Sequence, residues 1–160
     1  MGEFDRADLL RAAAAALGVN LIGALGVPFT TPDSAWFQEL AKPWFYPPDW
    51  AFGVVWPILY ALMGVAAYLV WRRRRTDPVR LALGLFVVQL AVNVSWSPVF
   101  FGFQAPGAAL VVIAILWVLL VPTIATFSRI DVRAAVLLVP YFVWVSFATV
   151  LNYAIWAANP

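Results

Sequence analysis

Residues 81–128 read LALGLFVVQLAVNVSWSPVFFGFQAPGAALVVIAILWVLLVPTIATFS and contain no Lys, Arg, Asp, Glu or His. A membrane-spanning helix needs about 20 apolar residues, so this uncharged run is too long for a single span. Near its middle, Gly102, Pro106 and Gly107 cluster as Gly and Pro do in turns. The run therefore predicts two membrane-spanning helices joined by a tight turn.

The composition of the whole chain also indicates a membrane protein. Of its 160 residues, 64% are hydrophobic and 11% are charged, whereas an ordinary soluble domain is roughly one quarter charged. The length fits a single domain, residues 1–160. With no Cys and no His, disulfides, thiol nucleophiles and Cys/His metal sites are excluded, and no metal site is predicted. Although the pI is about 9.3, the basic residues form no aromatic-interleaved surface, so no nucleic-acid partner is expected.

Charge-poor stretches predict an all-α membrane protein, a bundle of five transmembrane helices. We expect the spans near residues 12–27, 51–71, 81–101, 107–127 and 134–156. The first is short for a span unless residues 7–11 extend it. The connections are then residues 28–50, 72–80, 102–106 and 128–133.

The arginines predict how these helices are oriented in the membrane. Nine basic residues fall on the side that carries the N-terminus, the 72–80 loop and the 128–133 loop, and only Lys42 falls on the other side. By the positive-inside rule, the N-terminus and the 72–80 loop are cytoplasmic and the C-terminus is outside. We interpret residues 72–75, four consecutive arginines, as a topology anchor that also touches anionic lipid headgroups.

The 28–50 connection has the composition of a folded segment. Prolines fix backbone torsions and aromatic side chains supply apolar area, and a flexible tether needs neither. We therefore predict an ordered lid over one end of the bundle. Its prolines are Pro28, Pro32, Pro43, Pro47 and Pro48, and its tryptophans are Trp36, Trp44 and Trp50.

The nine tryptophans are distributed unevenly across the predicted membrane. Six lie on or near the side of the 28–50 loop, and only Trp71 lies at the opposite boundary. An aromatic belt normally marks both interfaces. Two interpretations stay open: an aromatic pocket at the loop side, or interface anchoring combined with helix packing.

Polar residues inside the spans recur at helical spacing. Gln89, Asn93 and Trp96 share one face of the third span, and Trp56 and Tyr60 share one face of the second. On the fifth span the shared face carries Tyr141, Trp144, Ala148 and Asn152. Polar groups are costly in hydrocarbon, so these faces should point into the bundle. There they either hydrogen-bond between helices or line a ligand pocket.

Three segments resemble the TspO/MBR family, which comprises the bacterial tryptophan-rich sensory proteins and the mitochondrial translocator protein (the peripheral benzodiazepine receptor). They are KPWFYPPDWAFGVVWPILY at 42–60, QLAVNVSWSPVFFG at 89–102 and PYFVWVSFATVLNYAIW at 140–156. The resemblance implies a five-helix bundle, usually a homodimer. It also implies binding of porphyrins and other flat apolar ligands, and of sterols in several members.

The resemblance also assigns roles to single residues. Trp56 and Trp144 match the family's two pocket tryptophans, Ala148 matches the small residue beside the ligand, and Lys42 falls in the lid. The Arg that ends the family's sterol motif is replaced here by Ala157. The expected ligand-binding residues are Trp56, Tyr60, Asn93, Trp96, Tyr141, Trp144, Ala148, Leu151 and Asn152. The expected lid residues are Trp36, Lys42, Pro43, Trp44, Pro47, Pro48 and Trp50.

We therefore predict a membrane binding or sensor protein for porphyrins and similar planar molecules, regulating tetrapyrrole or lipid traffic. No cofactor is required, and protoporphyrin IX or haem is the expected ligand, held between the second and fifth spans. Its propionates would reach either Lys42 or backbone N–H groups at the outer rim. Membrane lipids and a second copy of the chain are the other expected partners. One alternative is an enzyme that degrades porphyrin with light and oxygen through Trp56 and Trp144. The other is a transporter of porphyrin or sterol-like lipid, although the spans lack the ionisable groups that coupled transporters carry.

Overall fold

A computed structural model describes residues 5–159 as a bundle of five long helices, each apolar enough to cross a membrane. The helices are α1 (Arg6–Gly23), α2 (Ala35–Glu39), α3 (Asp49–Arg72), α4 (Arg80–Ser97), α5 (Pro106–Ile130) and α6 (Val132–Ala158). The five spans are α1, α3, α4, α5 and α6, because α2 is a short helix within the first connection. The predicted five-helix membrane bundle is thus confirmed.

The first span is longer than residues 12–27, because it begins at Arg6. The Asp5 side chain accepts a hydrogen bond from the backbone N–H of Asp8 at 2.6 Å and caps the helix. At the other end, a 3₁₀ segment (Ala24–Phe29) continues the helix and contains Pro28. The resulting 24 residues rise about 36 Å at 1.5 Å per residue, which is enough to cross the hydrocarbon.

The turn between the third and fourth spans is shorter than the sequence predicted. A π-helical segment (Pro98–Gly102) extends α4, and only residues 103–105 remain before α5. Gln104 adopts a left-handed backbone conformation, with φ of 52°. This single left-handed residue helps the chain reverse direction within three residues.

The spans form a ring in the order α1, α3, α6, α5, α4, with α4 returning to α1. One apolar core fills the ring, and its largest fully buried side chains include Met63, Leu116, Leu138 and Tyr141. Leucines and valines on the outer faces stay exposed, as expected where lipid rather than protein covers a helix.

Helices α1 and α3 approach closely at a glycine. A Cβ atom placed on Gly64 would lie 2.5 Å from the backbone oxygen of Ala15 and from the Cα of Ala16. A second close contact involves Gly26 of the first span, which is buried against Ser97 of α4. Ala15, Ala16 and Gly26 of the first span therefore serve packing within one chain.

The two ends of the bundle differ in chemistry. We call the end with the 73–79 loop and Asp131 the arginine-rich end. There Arg133 pairs with the Asp131 carboxylate at 2.7 Å, and its hydrogen bond lowers the pKa of that carboxyl. We call the other end, with residues 30–48 and the C-terminus, the loop end. A second apolar cluster lies there, formed by Phe37, Phe100, Ala109, Leu151 and Ile155.

Candidate ligand-binding groove

A chain of hydrogen bonds crosses the centre of the bundle. The Tyr60 hydroxyl donates to Asn93 Oδ1 at 2.6 Å, and Asn93 Nδ2 donates to the Tyr141 hydroxyl at 2.8 Å. The Tyr141 hydroxyl in turn donates to Gln89 Oε1 at 3.0 Å. These residues come from α3, α4 and α6, so the chain ties three helices together.

A second polar contact joins three helices nearer the loop end. The Trp96 indole N–H donates to Asn152 Oδ1 at 2.9 Å, and Asn152 Nδ2 donates to the backbone oxygen of Pro106 at 2.8 Å. The prediction that these polar faces point inward is correct. For Asn93 and Asn152, interhelical hydrogen bonding is the arrangement that the structure shows.

Four aromatic rings lie side by side between α3 and α6. Trp56 stacks on Tyr60 with ring centroids 5.4 Å apart, and meets Trp144 edge to face at 6.5 Å. Phe52, one turn before Trp56, lies 5.8 Å from Trp144. The two tryptophans that the resemblance singled out are therefore neighbours in space.

An open groove of about 500 Å³ runs along the outside of this aromatic group, between α3 and α6. Its wall consists of Pro47, Val55, Leu59, Pro140, Val143, Trp144 and Phe147. Two of the predicted site residues belong to this wall, Trp144 and the lid residue Pro47. Pro140 and Val143 are exposed on α6, so the groove opens sideways.

The other predicted ligand-binding residues lie away from this wall. Trp56 and Ala148 pack against the main core, and Leu151 belongs to the apolar cluster at the loop end. Trp96 stacks on Phe100 with centroids 4.8 Å apart. The arrangement separates a filled interior from the open groove, and Trp144 stands between them.

Trp144 also carries an unusual polar group. Its indole nitrogen is buried and has no hydrogen-bond partner among residues 5–159. Gln89 Nε2 is the other buried side-chain donor in this state. An unpaired buried donor costs roughly 1–3 kcal/mol, and an acceptor in the groove would recover part of that energy once the indole turns its N–H toward it.

The 28–50 connection is folded over the loop end, as the sequence predicted. Phe37, on α2, is 3% exposed and packs against Phe100 and Phe101. Trp36 lies 5.8 Å from Phe100, and Phe45 lies 6.3 Å from Phe147 of the groove. In contrast, Trp44 is 95% exposed on the outside of the lid. Trp50, predicted as a lid residue, lies instead in the first turn of α3 and is 70% exposed.

Lys42 is engaged within the lid itself. Its ammonium donates to the backbone oxygen of Phe37 at 2.7 Å and lies 4.5 Å from the centre of the Phe37 ring. Pro43 is half-buried beside it, and Pro48 precedes α3 as its N-cap. Tyr46 donates to Asp49 at 3.0 Å, and burial raises the pKa of its phenol.

Asn159, which follows the last residue of α6, holds the lid in place. Asn159 Oδ1 accepts from the backbone N–H of Ala41 at 2.9 Å, and Asn159 Nδ2 donates to the backbone oxygen of Ala41 at 3.0 Å. This two-pronged contact was not predicted, because a lone Asn at a helix end reads as an ordinary cap. Phe147 of the groove and Phe52 of the aromatic group were also missed, although each lies three or four positions from a predicted tryptophan.

The fold and the groove together define an integral, multi-pass α-helical membrane protein with aromatic residues concentrated at one end. Residues 12–157 match the sequence model of the TspO/MBR family, and the chain belongs to that family.

Named relatives cover most of the chain. It is 42% identical over 144 residues to the tryptophan-rich protein TspO of Chlorobaculum tepidum, and the aligned region covers 87% of this chain and 89% of that protein. It is 39% identical over 143 residues to the tryptophan-rich sensory protein of Cereibacter sphaeroides, and the aligned region covers 86% of this chain and 88% of that protein. The human translocator protein is 40% identical to this chain over 126 residues, and the aligned region covers 78% of this chain and 75% of that protein.

Proposed function

We propose that this protein binds a porphyrin or a similar planar apolar molecule in the groove between α3 and α6, and that it acts as a membrane sensor of that molecule. The observation that carries the proposal is Trp144, whose ring lines the groove while its buried N–H has no partner. The names of its relatives, a sensory protein and a translocator protein, fit a protein whose task is to recognise a ligand.

The shape of the groove supports a flat ligand. Its volume of about 500 Å³ falls within the range of ~300–1,000 Å³ that small-molecule sites occupy. The Trp144 and Phe147 rings lie 5.6 Å apart on one wall, and aliphatic side chains form the rest. Aromatic rings bind conjugated planes by offset stacking or edge contacts, and aliphatic groups bury their faces.

The position of the groove supports access from the lipid. Val143 is 61% exposed, and Val54 and Ile58 on the outer face of α3 are more than half exposed. A molecule dissolved in the bilayer would therefore reach the groove sideways. Pro47 of the lid forms the roof, so the loop end would shield the ligand from water.

Filling the groove tests the proposal. Val143→Phe adds a ring where Val143 lines the groove, while Val136→Phe adds the same ring on α6 outside it. Titration of detergent-solubilised protein with protoporphyrin IX in the dark, followed by porphyrin absorbance, gives the Kd. We expect Val143→Phe to weaken binding about tenfold, because the added ring occupies groove volume and displaces the porphyrin from the Trp144 and Phe147 rings. The Val136→Phe control should bind like the unmodified protein, and equal affinity in both variants would place the ligand elsewhere.

We also propose that the arginine-rich end is cytoplasmic. The charge bias of nine basic residues to one supports this orientation. Because the chain has no cysteine, Thr76→Cys and Gln38→Cys can each be labelled without background. Both side chains are exposed, at opposite ends of the bundle. An impermeant maleimide applied to intact cells should label position 38 only, and labelling of position 76 instead would reverse the orientation.

A further inference from the structure

A second concave site, separate from the groove, lies at the arginine-rich end. It has a volume of about 380 Å³ and is lined by Asp8, Arg11, Tyr68, Trp71, Arg72, Arg74 and Arg75. These residues come from α1, from the end of α3 and from the turn that follows it. We call it the arginine pocket.

The arginine pocket has an excess of positive charge. Four guanidinium groups face one carboxylate, which leaves a formal charge of +3 (four minus one). The carboxylate, Asp8, is buried, accepts a hydrogen bond from the Tyr68 hydroxyl and pairs with Arg72 at 2.9 Å. Arg11 is farther from it, at 3.9 Å. Asp8 therefore fixes the base of the pocket, and most of the positive charge stays at its rim.

Trp71 orders one arginine of this rim. The guanidinium of Arg74 lies 3.4 Å from the centre of the Trp71 ring, and one of its nitrogens donates to the Trp71 backbone oxygen at 3.2 Å. This contact with the indole restricts the Arg74 side chain. The planar guanidinium keeps other N–H groups in the fork geometry that matches a phosphate.

We infer that the arginine pocket binds a phosphate group, and that the phosphate is that of an anionic phospholipid headgroup. A dispersed run of arginines would attract anionic lipid without any shape, whereas here α1 and α3 enclose a cavity with an ordered guanidinium and an aromatic wall. Trp71 is 40% exposed at the end of the span, the depth at which tryptophan meets headgroups. This inference is independent of the porphyrin proposal, because the two sites share no residue.

A pair of double variants tests the inference. R74Q/R75Q removes two exposed guanidinium groups of the pocket, and R80Q/R129Q removes two exposed ones at the same end outside it. Each purified protein is titrated with short-chain phosphatidylglycerol in a neutral detergent, and bound lipid is counted by native mass spectrometry. We expect saturable binding of one lipid per chain that R74Q/R75Q weakens about tenfold and R80Q/R129Q leaves unchanged. Equal weakening by both variants would mean that lipid binds through general charge attraction, and the inference of a specific phosphate site would be wrong.

Two further titrations identify the source of the phosphate. Phosphatidylcholine, which is zwitterionic, should bind at least tenfold more weakly than phosphatidylglycerol. Glycerol 3-phosphate carries the phosphate without acyl chains. If it binds the pocket while phosphatidylglycerol does not, the lipid assignment is wrong. Thermal unfolding of R74Q/R75Q at the midpoint of the unmodified protein would show that lost binding does not come from a lost fold.

Discussion

Helix α3 contacts its two neighbours in opposite ways. Toward α1 it is tightly packed, because Gly64 lets the two backbones touch at Ala15 and Ala16. Toward α6 it carries Val55 and Leu59 opposite Pro140 and Trp144, and a groove of about 500 Å³ remains between the helices. The comparison shows how one helix both holds the bundle together and leaves a space for a ligand: small residues close one side and bulky ones keep the other open.

The largest expected effect comes from disturbing the closed side. Gly64→Ala places a Cβ 2.5 Å from backbone atoms of α1, which cannot move aside as a flexible side chain can. We expect the free energy of unfolding, measured by titration with a denaturing detergent, to fall by about 2–3 kcal/mol.

Gly84→Ala is the matched control for that substitution. Gly84 lies within α4, and a Cβ there meets no atom within 4 Å. Because Ala favours a helix over Gly, this variant should be as stable as the unmodified protein or up to about 1 kcal/mol more stable. Equal destabilisation by both changes would mean that the close approach of α1 and α3 is unimportant.

Two tryptophan substitutions sharpen the difference between the interior and the groove. Trp96→Phe leaves the Asn152 carbonyl oxygen without its donor, so stability should fall by about 1 kcal/mol. Trp144→Phe loses some indole packing but also removes an unpaired buried N–H, and because these two effects oppose each other, stability should fall by less than for Trp96→Phe. The free energies of unfolding of both variants provide the test, and a larger loss for Trp144→Phe would contradict the account.

The effect of Trp144→Phe on the ligand should be larger than its effect on stability. The phenyl ring keeps most of the stacking area but cannot donate a hydrogen bond. We expect the Kd for protoporphyrin IX in the dark to rise about fivefold, the range of one hydrogen bond. If light-dependent loss of porphyrin falls far more than binding does, indole redox chemistry takes part, and the enzymatic alternative gains support.

The smallest expected effect concerns the roof of the groove. Asn159→Ala removes both hydrogen bonds to Ala41, so the lid should open more often. Hydrogen exchange across residues 36–47 should become about threefold faster, because both hydrogen bonds are exposed to water. Asn20→Ala is the control, because Asn20 bonds only to Ala16 within its own helix. Exchange that is equally fast in the unmodified protein would mean that Asn159 does not hold the lid.

Hydropathy was sufficient to predict the five spans, the spacing of polar residues to predict the inward faces, and the proline and aromatic content to predict the folded loop. Gln89, Asn93 and Asn152 are buried, as their spacing indicated, because a polar side chain that faces lipid has no hydrogen-bond partner and is therefore costly. The same spacing could not say whether these groups face a ligand or one another. That depends on partners far apart in the chain, such as Tyr60 and Asn93, which only the packing brings together.

The groove was beyond sequence reasoning for a related reason. Val55, Leu59 and Val143 look like ordinary lipid-facing or core residues, and nothing in their local pattern marks a cavity. Whether two helices close or diverge depends on side-chain volumes along both of them. The motif that contains Trp144 pointed to α3 and α6, the helices between which the groove lies, but not to the outer side of the aromatic group.

A crystal structure of the complex with protoporphyrin IX, grown in the dark, tests the central claim most directly. The account predicts that the porphyrin plane lies between α3 and α6 beneath Pro47, with atoms within about 4.5 Å of Val143 and Trp144. The Trp144 indole should have turned, so that its nitrogen lies within hydrogen-bonding distance of an acceptor atom of the ligand. A porphyrin found inside the bundle, in place of the hydrogen bonds between Tyr60, Asn93 and Tyr141, would contradict it.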